Sequence, residues 1–207
     1  MSKINVEYWF PTPIWNVDLD IDNEILSDTC LKLKEDNLTS GRTLSNRGGW
    51  QSQDLFVEHN ISVFSPLMLK ITDVLNDILI TDYEVTDRTA VISHYWINVN
   101  SRGDVNQVHI HPGSFLSGVY YISAPENSGN IHFERDAKEI YSMGIMKISG
   151  KTPVSGTNCE YPPKPGRLLV FPGWLPHSVL QSESDEPRIS IAFNSEIRSS
   201  TTFGGLI

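Results

Sequence analysis

Three histidines in this sequence have the spacing of a metal site. His109 and His111 form a His-x-His pair, and His177 follows on a later stretch. Side chains alternate between the two faces of a strand, so positions i and i+2 place both imidazoles on one face. Imidazole is a good ligand for iron, zinc, copper and nickel. We therefore predict that His109, His111 and His177 hold one catalytic metal ion.

A second group of residues has the chemistry to bind a carboxylate. Arg188 lies eleven positions after His177, about one strand and one turn away. A guanidinium can hold a carboxylate through two parallel hydrogen bonds, and Ser190, on the same strand face, can add another. This is where a metal-bound co-substrate with a carboxylate would need its second anchor. Asn98 either hydrogen-bonds the same ligand or bonds its own turn at a strand end.

The predicted metal ligands differ from the usual non-haem iron site, which has two histidines and one carboxylate. His111 stands in the carboxylate position. Two alternatives are open: three neutral imidazoles bind the ion, or a carboxylate comes from elsewhere, from Asp136 or Asp104. Ligand histidines must be neutral, so we expect metal binding to weaken as the pH falls through roughly 6.5.

The pattern of apolar residues predicts the elements that position these side chains. Apolar residues recur at helical spacing in 23–37 and 62–80, and residues 5–19 favour an irregular strand. Residues 38–53 and 144–166, rich in glycine, proline or polar side chains, favour loops. Short alternating stretches indicate strands at 91–99, 107–111, 115–123, 130–134, 167–172, 176–182 and 188–196.

Two helices followed by about eight short strands predict a mainly β (α+β) fold. The architecture that fits is a cupin-like jelly roll with the two N-terminal helices packed on one sheet. Tyr120 and Tyr121 would point to opposite faces, so only one of them can line the site. The glycine-rich loop 41–52 is either a lid over the substrate or a solvated surface loop.

The composition is that of an ordinary globular chain. At 207 residues we predict a single domain, with 1–82 supporting a barrel core at 83–207. Twenty-five acidic against 16 basic residues give a net charge of −9, which argues against nucleic acid as a partner. Two widely spaced cysteines and the lack of a membrane-length apolar run lead us to expect a cytoplasmic protein. A homodimer remains open, because two-fold dimers are the commonest oligomers.

Several short motifs combine with these residues into one pattern. They occupy residues 10–13, 45–52, 109–112, 116–121, 171–172, 177 and 188–190. In this order and spacing the sequence resembles the 2-oxoglutarate/Fe(II)-dependent oxygenases, in a bacterial and phage-type branch close to the prolyl hydroxylases. The resemblance covers most of the chain and implies a double-stranded β-helix.

The resemblance also implies a reaction. Fe(II) would be held by His109, His111 and His177, and the co-substrate 2-oxoglutarate would be bound at its far carboxylate by Arg188 and Ser190. With molecular oxygen, the enzyme would hydroxylate an unactivated C–H bond of a small molecule or a peptide. The sequence does not identify that substrate.

Two other functions fit the same residues. One is a cupin-type metalloprotein, a three-histidine dioxygenase or isomerase that does not use 2-oxoglutarate. Gly103 and Gly166 stand at nearly cupin-like spacings before the histidines, although Phe115 and Leu116 occupy the place of the cupin glutamate. The other is a non-catalytic binding barrel. Arg188 and Ser190 distinguish the oxygenase from the cupin, and metal content distinguishes both from the binding barrel.

Overall fold

The structure, a computed structural model, describes residues 4–36, 41–58, 62–135, 152 and 155–200. Its helices are α1 (Asn23–Glu35), α2 (Leu55–Glu58) and α3 (Ser65–Thr81), with a 3-10 turn at Ser62–Phe64. Its strands are β1 (Trp15–Asp18), β2 (Asn46–Arg47), β3 (Trp50–Gln51), β4 (Arg88–Asn100), β5 (Val105–His109), β6 (Leu116–Ser123), β7 (Ile131–Glu134), β8 (Asn158–Tyr161), β9 (Arg167–Pro172), β10 (His177–Val179) and β11 (Arg188–Ser199).

These strands form two antiparallel sheets that face each other. The larger sheet has the order β1-β9-β6-β11-β4-β3, and the smaller one β2-β5-β10-β7-β8. Neighbouring strands are often far apart in sequence, as expected of a jelly roll. The predicted mainly β, double-stranded β-helix fold is therefore confirmed.

The two long helices cover the outer face of the larger sheet. The N-cap residue of α1 is Asp22, whose carboxylate accepts a hydrogen bond from the Glu24 backbone N–H. In α3, Leu67, Ile71 and Leu75 recur every four residues and are fully buried. Helix α1 contacts β6 and α3 contacts β4, so both pack on one sheet, as predicted. No helix in the described part of the chain is long and apolar enough to cross a membrane.

Several elements were missed by the sequence interpretation. Helix α2, together with strands β2 and β3, falls inside or just after the predicted loop at 38–53. Strand β8 falls inside the predicted connection at 144–166, of which 144–151 and 153–154 lie outside the described residues. Two-residue strands show no periodicity of their own. They exist because β2 pairs with β5 and β3 pairs with β4.

Alternation along β4 separates the core from the site, except at one irregularity. Ile97 and Val99 pack into the core beneath the helices, and Asn98 faces the smaller sheet. The register with β11 shifts beyond His94, which leaves Ser93 as an extra residue. Such a bulge reverses the alternation. Strict alternation would put Ile92 on the same face as Asn98, but the bulge turns Ile92 into the helix-side core.

Candidate metal centre and adjoining cavity

The three predicted histidines converge between the two sheets. His109 is the last residue of β5 and pairs directly with His177, the first residue of β10. His111 lies two residues beyond β5, where its backbone N–H donates to the Gly173 carbonyl at 2.8 Å. One ring nitrogen from each histidine lies within 4.8 Å of the others. The predicted strand 107–111 thus ends two residues early, yet His111 still reaches the cluster.

Backbone carbonyls orient two of these imidazoles. Nδ1 of His109 lies 2.7 Å from the Gln107 carbonyl oxygen, and Nδ1 of His177 lies 2.9 Å from that of Leu175. A carbonyl only accepts, so each Nδ1 carries the hydrogen and each neutral ring keeps a lone pair on Nε2. The Nε2 atoms of His111 and His177 are 3.3 Å apart. This arrangement directs imidazole lone pairs toward a common point.

Burial keeps the three histidines neutral. It lowers the pKa of His109, and it lowers the pKa of His111 to about 4 and of His177 to about 3. Proximity to His109 lowers the latter two further, because like charges repel. The His177 ring packs 4.6 Å from that of Phe171 and 5.9 Å from that of Phe133. Three neutral nitrogen donors are the form that a divalent transition metal requires, so these residues fit the predicted ion.

No carboxylate joins the cluster within the described residues. Asp104, one of the two predicted alternatives, accepts a hydrogen bond from the Ser101 backbone N–H at 2.6 Å. It therefore serves its own turn, and the expectation that it could supply the third ligand is not supported. Asp136, the other alternative, lies outside the described residues.

An open cavity extends from the histidines between the two sheets. Alternate residues of β4, which are Trp96, Asn98 and Asn100, line the cavity from one end to the other. The Trp96 ring lies 5.9 Å from that of His111, at the metal-centre end. Asn100, four residues along, contacts Arg188. The cavity therefore connects the histidine cluster to the predicted carboxylate anchor.

Arg188 is a buried cation with part of its guanidinium unused. Only 3% of the residue is exposed. Its Nη1 donates to the carbonyls of Ser128 and Gly129, and its Nη2 donates to the Asn100 side chain at 3.0 Å. Its buried Nε has no hydrogen-bond partner in the described chain. Burial lowers the pKa of this guanidinium, but arginine stays protonated in proteins. Arg188 is therefore not a surface arginine that pairs with neighbouring acidic side chains.

Ser190 and Asn98 line the same cavity as Arg188. Ser190 stands directly opposite Asn98 on one side and Tyr121 on the other. Burial raises the pKa of Tyr121 to about 12, so its phenol stays a hydrogen-bond donor at neutral pH. Tyr120 faces the helices, where its hydroxyl donates to the Asn23 side chain at 2.7 Å. As predicted, only one of the two tyrosines lines the site.

The loop before α2 adds residues that the sequence interpretation did not single out. Ser45 and Gln51 line the cavity, and the Arg42 guanidinium lies 5.3 Å from the centre of the Trp96 ring. Strands β2 and β3 attach this loop to both sheets, which makes residues 45–51 a wall of the cavity. The sequence signals for this segment were the glycine-rich composition of loop 41–52, interpreted as a lid or a surface loop, and the motif at 45–52.

Comparison with known proteins agrees with this architecture. A family model described as "Putative 2OG-Fe(II) oxygenase" matches residues 94–194, just under half of the chain, including the three histidines and Arg188. No curated protein resembles the chain significantly in sequence.

Three solved structures illustrate the fold. A Pseudomonas putida prolyl-4-hydroxylase has a TM-score of 0.64 and 14% identity, covering 91% of this chain and 94% of its own. A Trichoplax adhaerens prolyl hydroxylase, in complex with a hypoxia inducible factor peptide fragment, has a TM-score of 0.62 and 15% identity over 88% and 82%. HygX from Streptomyces hygroscopicus, with nickel and 2-oxoglutarate bound, has a TM-score of 0.59 and 12% identity over 93% and 85%.

At these identities the three structures establish a shared fold and no more. The segment that the family model matches contains the predicted metal ligands and carboxylate anchor. Residues 94–194 therefore match a 2OG-Fe(II) oxygenase family model, and the chain shares the fold of the three solved structures.

Proposed function

We propose that this oxygenase binds Fe(II) through His109, His111 and His177, and binds 2-oxoglutarate through Arg188 and its neighbours. Its reaction is the hydroxylation of an unactivated C–H bond in a small molecule or a peptide. One observation carries the proposal: a single cavity has three neutral imidazoles at one end and a buried cation with an unused N–H at the other.

The buried end of the cavity is suited to a carboxylate. A buried guanidinium without a counter-ion is costly, and a carboxylate would both neutralise Arg188 and accept from its Nε. Ser190 and Tyr121 can add hydroxyl donors, and Asn98 can add an amide donor. These residues together would hold 2-oxoglutarate between the metal ion and the inner end of the cavity.

The protein's own contribution is to hold the metal ion and co-substrate, to orient the ligand imidazoles and to exclude water from the site. When bound, the iron and 2-oxoglutarate supply the oxidising chemistry, in which one oxygen atom enters the substrate and the other enters succinate as carbon dioxide is released. Carbonyls of Gln107 and Leu175 hold two ligand imidazoles in one tautomer. The rings of Phe133 and Phe171 keep water from the inner side of His177.

The three-histidine donor set also favours a second candidate. A cupin-type dioxygenase or isomerase would use the same three imidazoles without 2-oxoglutarate. Arg188 argues against it, because a buried cation at the far end of the cavity has no role in a reaction confined to the metal. Histidine in place of a carboxylate makes the metal centre one unit more positive, which also favours a dianionic co-substrate.

The same proposal treats the chain as one domain, with 1–82 supporting the barrel at 83–207. We also propose a cytoplasmic location. This location is inferred from the small number of cysteines, Cys30 in α1 and Cys159 on β8, since disulfide-rich frameworks are typical of secreted domains. A homodimer remains a prediction that size-exclusion chromatography with light scattering would test.

The decisive experiment is anaerobic calorimetric titration of 2-oxoglutarate into protein loaded with Fe(II) or Mn(II). We expect the wild type to bind, Arg188→Ala to lose binding, and Arg198→Ala, on an exposed part of the same strand, to retain it. Metal binding without 2-oxoglutarate binding would favour the cupin-type function. Absence of metal binding would contradict both.

A further inference from the structure

Gln51 is placed in the cavity by the N-terminal loop. It lies on β3, at the edge of the larger sheet, directly opposite Asn98. Asn98 faces Ser190, and Ser190 faces Tyr121, so these four side chains form one row across the sheet. All four line the cavity. Gln51 is the only one of them outside the family-matched segment 94–194.

Gln51 is buried, but no hydrogen bond within the described residues holds its carboxamide oxygen. The residue is 4% exposed, and its Oε1 is buried with no hydrogen-bond partner in the described chain. Asn46, equally buried in the same loop, is a useful contrast. Its Oδ1 accepts from the Leu44 backbone N–H, and its Nδ2 donates to the carbonyls of Arg42 and Gly48. Hydrogen bonds fix the orientation of the Asn46 amide, whereas the Gln51 Oε1 accepts none within the described residues.

The row containing Gln51 lies midway along the cavity. Trp96, on one side of Asn98 in β4, contacts the metal-centre end at His111. Asn100, on the other side, contacts Arg188. A ligand that reaches from the histidines to Arg188 therefore passes this row. The oxygen atoms of 2-oxoglutarate are all acceptors at neutral pH, so the amide would meet them with its NH2 group.

We propose that Gln51 is a binding residue for 2-oxoglutarate, donating a hydrogen bond from its amide beside Asn98. This inference rests on the proposed function, because it takes 2-oxoglutarate as the ligand of the cavity. It adds a residue from the N-terminal segment to a site whose other proposed ligand-binding residues lie within the family-matched segment 94–194. The N-terminal segment would then contribute directly to co-substrate binding as well as supporting the barrel.

The test compares Gln51→Leu, Gln51→Glu and the wild type, each loaded with Mn(II) and titrated with 2-oxoglutarate without oxygen. Loss of a hydrogen bond to a charged ligand should weaken Gln51→Leu binding by about 10-fold or more. Gln51→Glu should bind more weakly still, because a carboxylate in the cavity repels a dicarboxylate. Gln181→Glu, the same change at an exposed position, should bind like the wild type.

Metal stoichiometry and melting temperature, measured on the same samples, separate binding from folding. We expect all variants to hold one Mn(II) and to melt cooperatively. Wild-type affinity in both Gln51 variants would overturn the role of Gln51 alone. Parallel loss of metal and 2-oxoglutarate would make Gln51 a structural residue and would also overturn it. Failure of the metal-loaded wild type to bind 2-oxoglutarate would instead overturn the proposed function.

Discussion

The two faces of β11 differ in whether their side chains find all of their packing and hydrogen-bond partners within the protein. Ile189, Ile191 and Phe193 face the helices and are at most 2% exposed within an apolar core. Arg188 and Ser190 alternate with them and face the cavity, where the Arg188 Nε is left without a partner among the described residues. The side chains on one face of β11 thus stabilise the fold, and those on the other face can bind a ligand. Substitutions on the two faces should therefore have separable effects.

The largest effect is expected at the metal centre, on the cavity side. His177→Ala removes one of three ligands, so metal affinity should fall by more than the roughly 10–100-fold typical of losing an outer hydrogen-bond partner. Metal content after dialysis measures it. His132→Ala is the matched control, because His132 lies on neighbouring β7 outside the cluster and pairs with Glu160. Full metal retention by His177→Ala would contradict the ligand assignment.

On the helix side, Phe193→Ala should reduce the free energy of unfolding by about 3–5 kcal/mol, because it opens a cavity in a fully buried core. Urea denaturation measures this loss. Metal affinity of the folded fraction should be unchanged. Ser190→Ala should give the opposite result, with a stability change under about 1 kcal/mol and weaker 2-oxoglutarate binding. Equal destabilisation by both variants would remove the distinction between the faces.

The stability of the metal-free protein should fall as the pH falls below 6.5. His109, His111 and His177 are neutral in the folded state at pH values where they are charged in the unfolded state, because burial lowers their folded pKa values. The unfolded state then binds more protons, so stability increases with pH, by about 1.4 kcal/mol per pH unit for each such histidine.

This loss continues until the pH passes the folded pKa values of about 4 for His111 and about 3 for His177. The same shifts move the weakening of metal binding below the pH of 6.5 expected from the sequence. Denaturation at several pH values measures the slope, and His177→Ala should flatten it. An unchanged slope in that variant would count against burial as its cause.

A smaller effect is expected where the two faces meet. A methyl group on Gly118 would collide with the Phe193 ring on the helix side and would lie 2.6 Å from the Leu169 carbonyl oxygen. Gly118→Ala should therefore cost about 1–3 kcal/mol through overpacking. Gly113→Ala, whose added carbon meets only open space, tests backbone strain alone. Thermal melting compares them, and a smaller loss for Gly118→Ala would contradict the close packing.

The sequence predicted those features that depend on spacing along the chain. His109, His177 and Arg188 come together as expected because strand alternation and turn length fix their faces. Gln51 was missed because its strand exists only through pairing with β4, more than forty residues away. The bulge at Ser93 was missed for the same reason, since it is defined by the register with β11. Long-range pairing leaves no local signal.

The position of β11 in the larger sheet has a consequence for biosynthesis. It follows every other described strand in sequence, yet it lies in the sheet between β4 and β6. Its contact with β4 joins Arg188 to Asn100, 88 residues apart. During synthesis, the edges of β4 and β6 that pair with β11 in the folded sheet stay unpaired until β11 has been made. This requirement slows folding, and the unpaired edges favour aggregation. Chains truncated just before residue 188, or paused there during translation, should therefore bind chaperones or aggregate.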